Sequence, residues 1–295
     1  MDDGALIEDP HLDKKGADLD RQRFRMLEDI ARELSSDVVF PTCFETIMVL
    51  RKTLQDQGDS IGMVADVVAL EPLVASRVVA LANSVIYARN GAHARSLPHA
   101  IERVGLRNVR LVALSILMKQ LMMSRDVVAF KDMANRLWAH SIHAAAAAYV
   151  VARRLSRINP EEAQLAGLIH DIGGFYMLYR AAHYDELMMR PDSAAHLVVQ
   201  WHESIGYSLA AALGLPKELA DSIVDHDQPR ALPDPPRTLG DIVYIANRLS
   251  AGFAEWIVMP FDDDPIDAVR LTEIGEALGA EIRAHCDVMT AVLGG

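Results

Sequence analysis

His170 and Asp171 stand side by side in the apolar run "LIHDIGGFYMLY" (168–179), and after Ile172 come Gly173 and Gly174. A carboxylate taken out of water must be paired, hydrogen-bonded or bound to a metal. Neighbouring residues on a helix point about 100° apart, so this imidazole and this carboxylate can reach one ion lying just off the axis. The two glycines leave room for a backbone or a ligand to come close. Other candidates follow the same logic. "LWAHSIHAAAAAYVVARRL" (137–155) predicts a helix with His140 and His143 on one side. "VVQWHESIGYSLAAALGLP" (198–216) sets His202 on a helix that ends at Gly214, with Pro216 opening the next. That next helix, "KELADSIVDHDQP", finishes in Asp225, His226 and Asp227, and "LGDIVYIANRLSAGF" (239–253) carries Asn247 on an apolar stripe. Four helices are thus expected to turn imidazole and carbonyl-type ligands toward one interior. Such a donor set suits Fe, Mn, Ni or Zn and suits Ca poorly.

Not every histidine belongs to that set. His143, His183 and His196 read as core histidines satisfied by a neighbour, and His11, His93, His99 and His285 as surface or loop residues.

The elements that must position these groups are helices. Helical periodicity dominates from about residue 22, and no period-two strand of useful length interrupts it. Gly and Pro punctuate the pattern, as in "RINPEE" near 157 and "QPRALPDPPRTLG" before 240. Pro160 and two glutamates open the helix that runs into the His-Asp pair. "KQLMMSRDVVAFKDMANRLW" reads as helix with a bend rather than a flexible linker. With 295 residues and 51% apolar side chains the chain can bury a sizeable core. The expectation is all-α, in two helical subdomains: residues 22–129, then a bundle over 130–258. Residues 1–21 are expected to be disordered or loosely docked, and 259–295 to form a helical extension.

Composition narrows the function. A net charge of −12 argues against a nucleic-acid surface, which needs clustered Lys and Arg to neutralise phosphate. No apolar run is long enough to span a membrane, and the acidic N-terminus does not read as a secretory signal. Cys43 and Cys286 lie far apart and read as free thiols, which fits a reducing cytoplasm.

The order His, then His-Asp, then later histidines resembles the HD superfamily of metal-dependent phosphohydrolases, and within it the HDOD family. Residues 64–114, "VADVVALEPLVASRVVALANSVIYARNGAHARSLPHAIERVGLRNVRLVAL", carry that family's other signature, and "LAGLIHDIG", "GLP" and the later His226 continue it. The resemblance covers roughly residues 25 to 255 and implies that 130–258 is an HD-like bundle. It assigns His140 to the first metal histidine and His170 and Asp171 to the doublet. His202 matches the histidine before the "GLP" turn, and His226 and Asp227 fall where related cyclic-dinucleotide phosphodiesterases have a His pair. Asn247 stands where the superfamily closes its site with Asp, and Gly174 where catalytic members have Lys.

Those two departures point away from catalysis. An amide brings no charge to offset a divalent cation, and losing Lys removes a phosphate-binding charge. Arg136, one turn before His140, would add a like charge unless it points away. The resemblance therefore implies a bacterial signal-transduction protein with a degenerate site and weak or partial metal occupancy. Its expected partner is a signalling protein supplied in trans, with a nucleotide second messenger as a further candidate ligand. The alternatives are a phosphohydrolase or phosphodiesterase on a nucleotide or cyclic dinucleotide, with Asp171 as its catalytic residue, and a metal or ligand sensor.

Overall fold

Apolar residues recurring every three to four positions produce helices over most of the described chain. The computed structural model describes residues 17–34, 61–70, 72–88, 93–123, 125–250 and 265–293, and among these no strand occurs. The first part holds α1 (Ala17–Leu34), α2 (Ile61–Ala69), α3 (Pro72–Ala82) and α4 (Leu97–Met123). A 3-10 segment (Arg125–Phe130) makes the expected bend into α5 (Lys131–Leu155). Then come α6 (Pro160–Ile169), α7 (Ile172–Ala181), α8 (Asp185–Met188), α9 (Pro191–Ala212), α10 (Lys217–Asp221), α11 (Leu239–Ser250) and α12 (Pro265–Leu293). No helix among the described residues is long and apolar enough to cross a membrane.

The long helix α5 is the post around which the second part is built, with α6, α11 and α12 packed on it. α7 lies against α9, while α4 packs on α3 and also meets α6 and α7, so one buried apolar core runs through both parts. α1 docks on α7 and α9, where Tyr176 Oη donates to Glu33 (2.7 Å) and Arg180 pairs with Glu33 (2.9 Å). α12 lies along α5 and also touches α3 and α4.

Small residues let the helices that carry the polar groups come close. The alanines 144–148 of α5 are all buried, and α6 presses Gly167 against them. A Cβ on Gly167 would lie 2.7 Å from the Ala144 carbonyl oxygen. Gly173 is tighter still: a Cβ there would fall 2.0 Å from the His202 carbonyl oxygen and 2.5 Å from the Gly206 nitrogen. Backbone meets backbone at that crossing, so any side chain would drive α9 off α7.

Two local expectations are corrected. The helix opened by Pro160 does not continue through the His-Asp pair. It is well capped, Asn159 accepting from the Glu161 and Glu162 amides, but it ends at Ile169. His170 and Asp171 form a two-residue junction, and Asp171 (φ −101°, ψ 17°) is already out of helical geometry. The helix predicted over 217–227 stops at Asp221, and turns carry the chain through Asp225 at φ 61°. His226 and Asp227 therefore sit on a turn, not a helix.

Candidate metal centre

The junction between α6 and α7, the inner faces of α5 and α9 and the turn after α10 bring five of the predicted groups to one point. Asp171 is the middle of it, 1% exposed. Its Oδ2 lies 3.2 Å from His170 Nε2 and 3.6 Å from His140 Nε2. Its Oδ1 lies 3.5 Å from His202 Nε2 and 3.3 Å from His226 Nε2. Each carboxylate oxygen thus faces one pair of imidazoles. Within the pairs, the Nε2 atoms of His140 and His170 are 3.2 Å apart, and those of His202 and His226 3.3 Å apart. All four rings are 0–4% exposed.

Backbone carbonyls decide which nitrogen of each ring faces inward. His170 Nδ1 donates to Gly167 O (2.8 Å), His202 Nδ1 to Val198 O (2.9 Å) and His226 Nδ1 to Ile223 O (2.6 Å). A carbonyl can only accept, so these three rings carry a proton on Nδ1 and, when neutral, aim their Nε2 lone pairs at Asp171. Neither Asp171 oxygen accepts a hydrogen bond of normal geometry in return. Lone pairs facing a carboxylate repel, and a cation must satisfy them, whether protons or a metal.

The donor set fits a transition metal. Two nitrogens each about 2.1 Å from one ion, bound at right angles, stand about 3 Å apart. The observed Nε2 separations match that spacing. The candidate donors fall into two groups: His140, His170 and Asp171; and His202, Glu203, His226 and Asp227.

The charges are unevenly placed. Burial drives His140 down to about 4, and Asp171 offsets this only in part. Burial also opposes charge on His226, but Asp227, Asp171 and Glu203 together raise it to about 10, and His202 is raised in the same way. Burial works to raise the Asp171 and Asp227 carboxyls, yet the neighbouring imidazoles hold both well below their ordinary range. The negative potential is concentrated on the His202–His226 side.

The remaining predicted residues are placed as follows. Asp227 Oδ2 lies 3.3 Å from His202 Nε2, so it belongs to the centre. Asn247, buried on α11, turns its Nδ2 to Asp227 Oδ1 (2.8 Å) and His226 O (3.3 Å). Gly174 is buried in the first turn of α7, and Arg136 is exposed, pointing away. His143 bonds Ser250 Oγ at 2.8 Å and stays outside the centre, as expected. His183 and His196 are exposed rather than core residues, whereas His285 is buried against Tyr149. His11 and Cys43 lie outside the described residues.

Glu203 was missed by sequence reasoning. Its two oxygens accept from the backbone amides of Asp225 (3.2 Å) and Asp227 (3.0 Å), which holds the turn that presents His226. The signal was there in "HES", an acid directly after His202.

Residues 40–229 match the HDOD domain. The chain belongs to the HDOD family. The match stops short of α11, so Asn247 lies beyond it. Among solved structures, a similar fold is found in a Shewanella amazonensis protein named provisionally as a metal-dependent phosphohydrolase. The TM-score is 0.69 at 22% identity, covering 92% of this chain and 99% of that one. A Marinobacter aquaeolei protein, named provisionally for signal transduction, gives 0.61 at 17% identity over 99% of this chain and 68% of that one. An HDOD domain protein of unknown function from Geobacter sulfurreducens gives 0.55 at 21% identity, over 90% and 98%. At these identities the likeness speaks for the fold alone. No curated protein matches the chain.

Proposed function

We propose that this HDOD protein is a regulatory module whose buried His-Asp centre takes up a divalent transition metal. Its output is contact with a signalling protein supplied in trans, not turnover of a nucleotide. One observation carries the reading: imidazoles with protons fixed on Nδ1 converge on a carboxylate that receives no properly formed hydrogen bond. Such an arrangement calls for a cation. His140, His170, Asp171, His202, His226 and Asp227 are the residues that would hold it, and Fe, Mn, Ni or Zn suits them. When bound, the metal supplies positive charge to the carboxylates and Lewis acidity to any oxygen ligand.

The rest of the site argues against turnover. Gly174 brings no cation to a phosphate, Arg136 faces solvent, and the four rings are 0–4% exposed. The centre ties α5, the α6–α7 junction, α9 and the turn after α10 to one point. A change in its occupancy is therefore a change in how four elements are held together, which is what a partner surface can read.

A second reading is supported by the shared carboxylate. One aspartate between two pairs of histidines is also the plan of a two-ion clamp for hydrolysis. One set of measurements separates the two. Protein prepared without a His tag should contain metal by elemental analysis, and chelation should lower its melting temperature. It should not hydrolyse cyclic di-GMP, cyclic di-AMP or ppGpp with Mn or Fe(II) supplied. Turnover that survives repurification and disappears in Asp171→Ala would replace the regulatory reading with the hydrolytic one.

A further inference from the structure

Asn247 faces two groups that can only accept: the His226 carbonyl at 3.3 Å and Asp227 Oδ1 at 2.8 Å. Its amide nitrogen must be the atom turned toward them, because the oxygen would repel both. A nitrogen bearing two hydrogens has no lone pair to offer an ion. Glu203 works on the same segment from the other side, spending one oxygen on the Asp225 amide and the other on the Asp227 amide. The turn at Asp225, in the left-handed region at φ 61°, is thus held by its backbone, and Asp227 by its side chain. Both clamps act on Asp227. Its other oxygen is left pointing at His202 Nε2, 3.3 Å away.

From this we infer that Asn247 is a positioning residue that holds Asp227 in the centre, and that the centre is a one-ion site on His202, His226, Asp227 and a shared oxygen of Asp171. The inference rests on the metal-binding reading above. The charge count supports it. The His140–His170 side has two imidazoles and one oxygen of Asp171. The His202–His226 side has two imidazoles, the other Asp171 oxygen and Asp227, with Glu203 Oε1 3.5 Å from the His226 ring. A dication a few ångströms from each carboxylate is attracted far more strongly by two or three of them than by half of one. A chain that has an amide on α11 has recovered its second carboxylate from the turn before it.

The test is titration of the chelated full chain with Zn(II) and Mn(II), read as stoichiometry and affinity. The expected result is one tight equivalent. Asp227→Asn should weaken it at least a hundredfold, and His202→Ala should weaken it far more than His140→Ala. The discriminating variant is Asn247→Asp. A carboxylate in place of the donor would repel Asp227 and should weaken binding ten- to a hundredfold. Tighter binding or a second equivalent in Asn247→Asp would overturn the inference, because it would make position 247 a ligand. Should that variant not fold by circular dichroism, Asn247→Ala, which adds no charge, should give the same loss; unchanged affinity there overturns it too. One tight equivalent that depends on His140 and not on Asp227 would sink this inference while leaving the metal-binding reading intact. No metal on the unaltered chain would sink both.

Discussion

The same bundle buries histidine in two quite different ways. Around Asp171, four rings meet two carboxylates, and burial is overcome on one side: His226 is raised to about 10. On α12, His285 is 8% exposed and lies flat on Tyr149 of α5, ring centroids 4.2 Å apart and nearly parallel. Its Nε2 has no hydrogen-bond partner, and burial pushes it down to about 4. Glu281 works the other way, but it is engaged by Arg153 and Arg154. Burial alone therefore does not mark a functional histidine. What all four rings of the centre share, and His285 lacks, is a carboxylate in front of Nε2; in three of them a backbone carbonyl also fixes the proton on Nδ1.

The largest expected break of this contrast is Gly173→Ala. A methyl group placed 2.0 Å from the His202 carbonyl forces α9 away from α7 and takes His202 out of the centre. We expect a loss of about 3 kcal/mol in denaturant unfolding together with loss of metal binding. Unchanged stability would mean that the backbone contact is not what seats the histidine.

The second prediction concerns pH. His285 is neutral in the folded protein, with its value lowered to about 4, whereas the unfolded chain binds the proton near 6.5. A depressed histidine lends its stability above the unfolded value, and this is lost as pH falls from 6.5 toward 4. His285→Phe keeps the stacking and removes the titration, so it should flatten that decline by about 2 kcal/mol. An identical acid profile for the variant would refute the assignment. In metal-free protein His226 works in the opposite sense: its contribution is full below 6.5 and is lost as pH rises through about 10.

The smallest effect sharpens the comparison from outside. His196 is exposed on α9, six residues before His202. His196→Ala should change stability by less than about 0.5 kcal/mol and leave metal content untouched. A loss of metal in that variant would enlarge the centre beyond the groups described.

What the sequence disclosed followed locality. Helical periods, Pro160 with its two glutamates as a helix start and the His-Asp pair are signals carried within a few residues, and all-α follows from the periods. Helix ends were misread where periodicity outlasts geometry. "ADSIVDHD" keeps apolar residues at helical spacing, yet Asp225 leaves helical space because Glu203, more than twenty residues earlier, holds its amide. His285 looked like a surface residue among Arg283, Ala284 and Asp287, and the ring that buries it, Tyr149, lies on another helix. Asn247 was read by type, as an amide in a carboxylate's place. Its role depends on what it faces, and no spacing rule conveys that.

The glycine crossing of α7 and α9 also has a mechanical side. Between most packed helices, side chains act as springs, since rotamers take up shifts of a few tenths of an ångström. At Gly173 nothing stands between the two backbones, so the joint has almost no give. Asp171 lies two residues before this joint, and His202, whose carbonyl meets it, lies on α9. Beside His202 stands Trp201, 43% exposed. The stiff joint thus sits between the buried centre and an exposed aromatic residue.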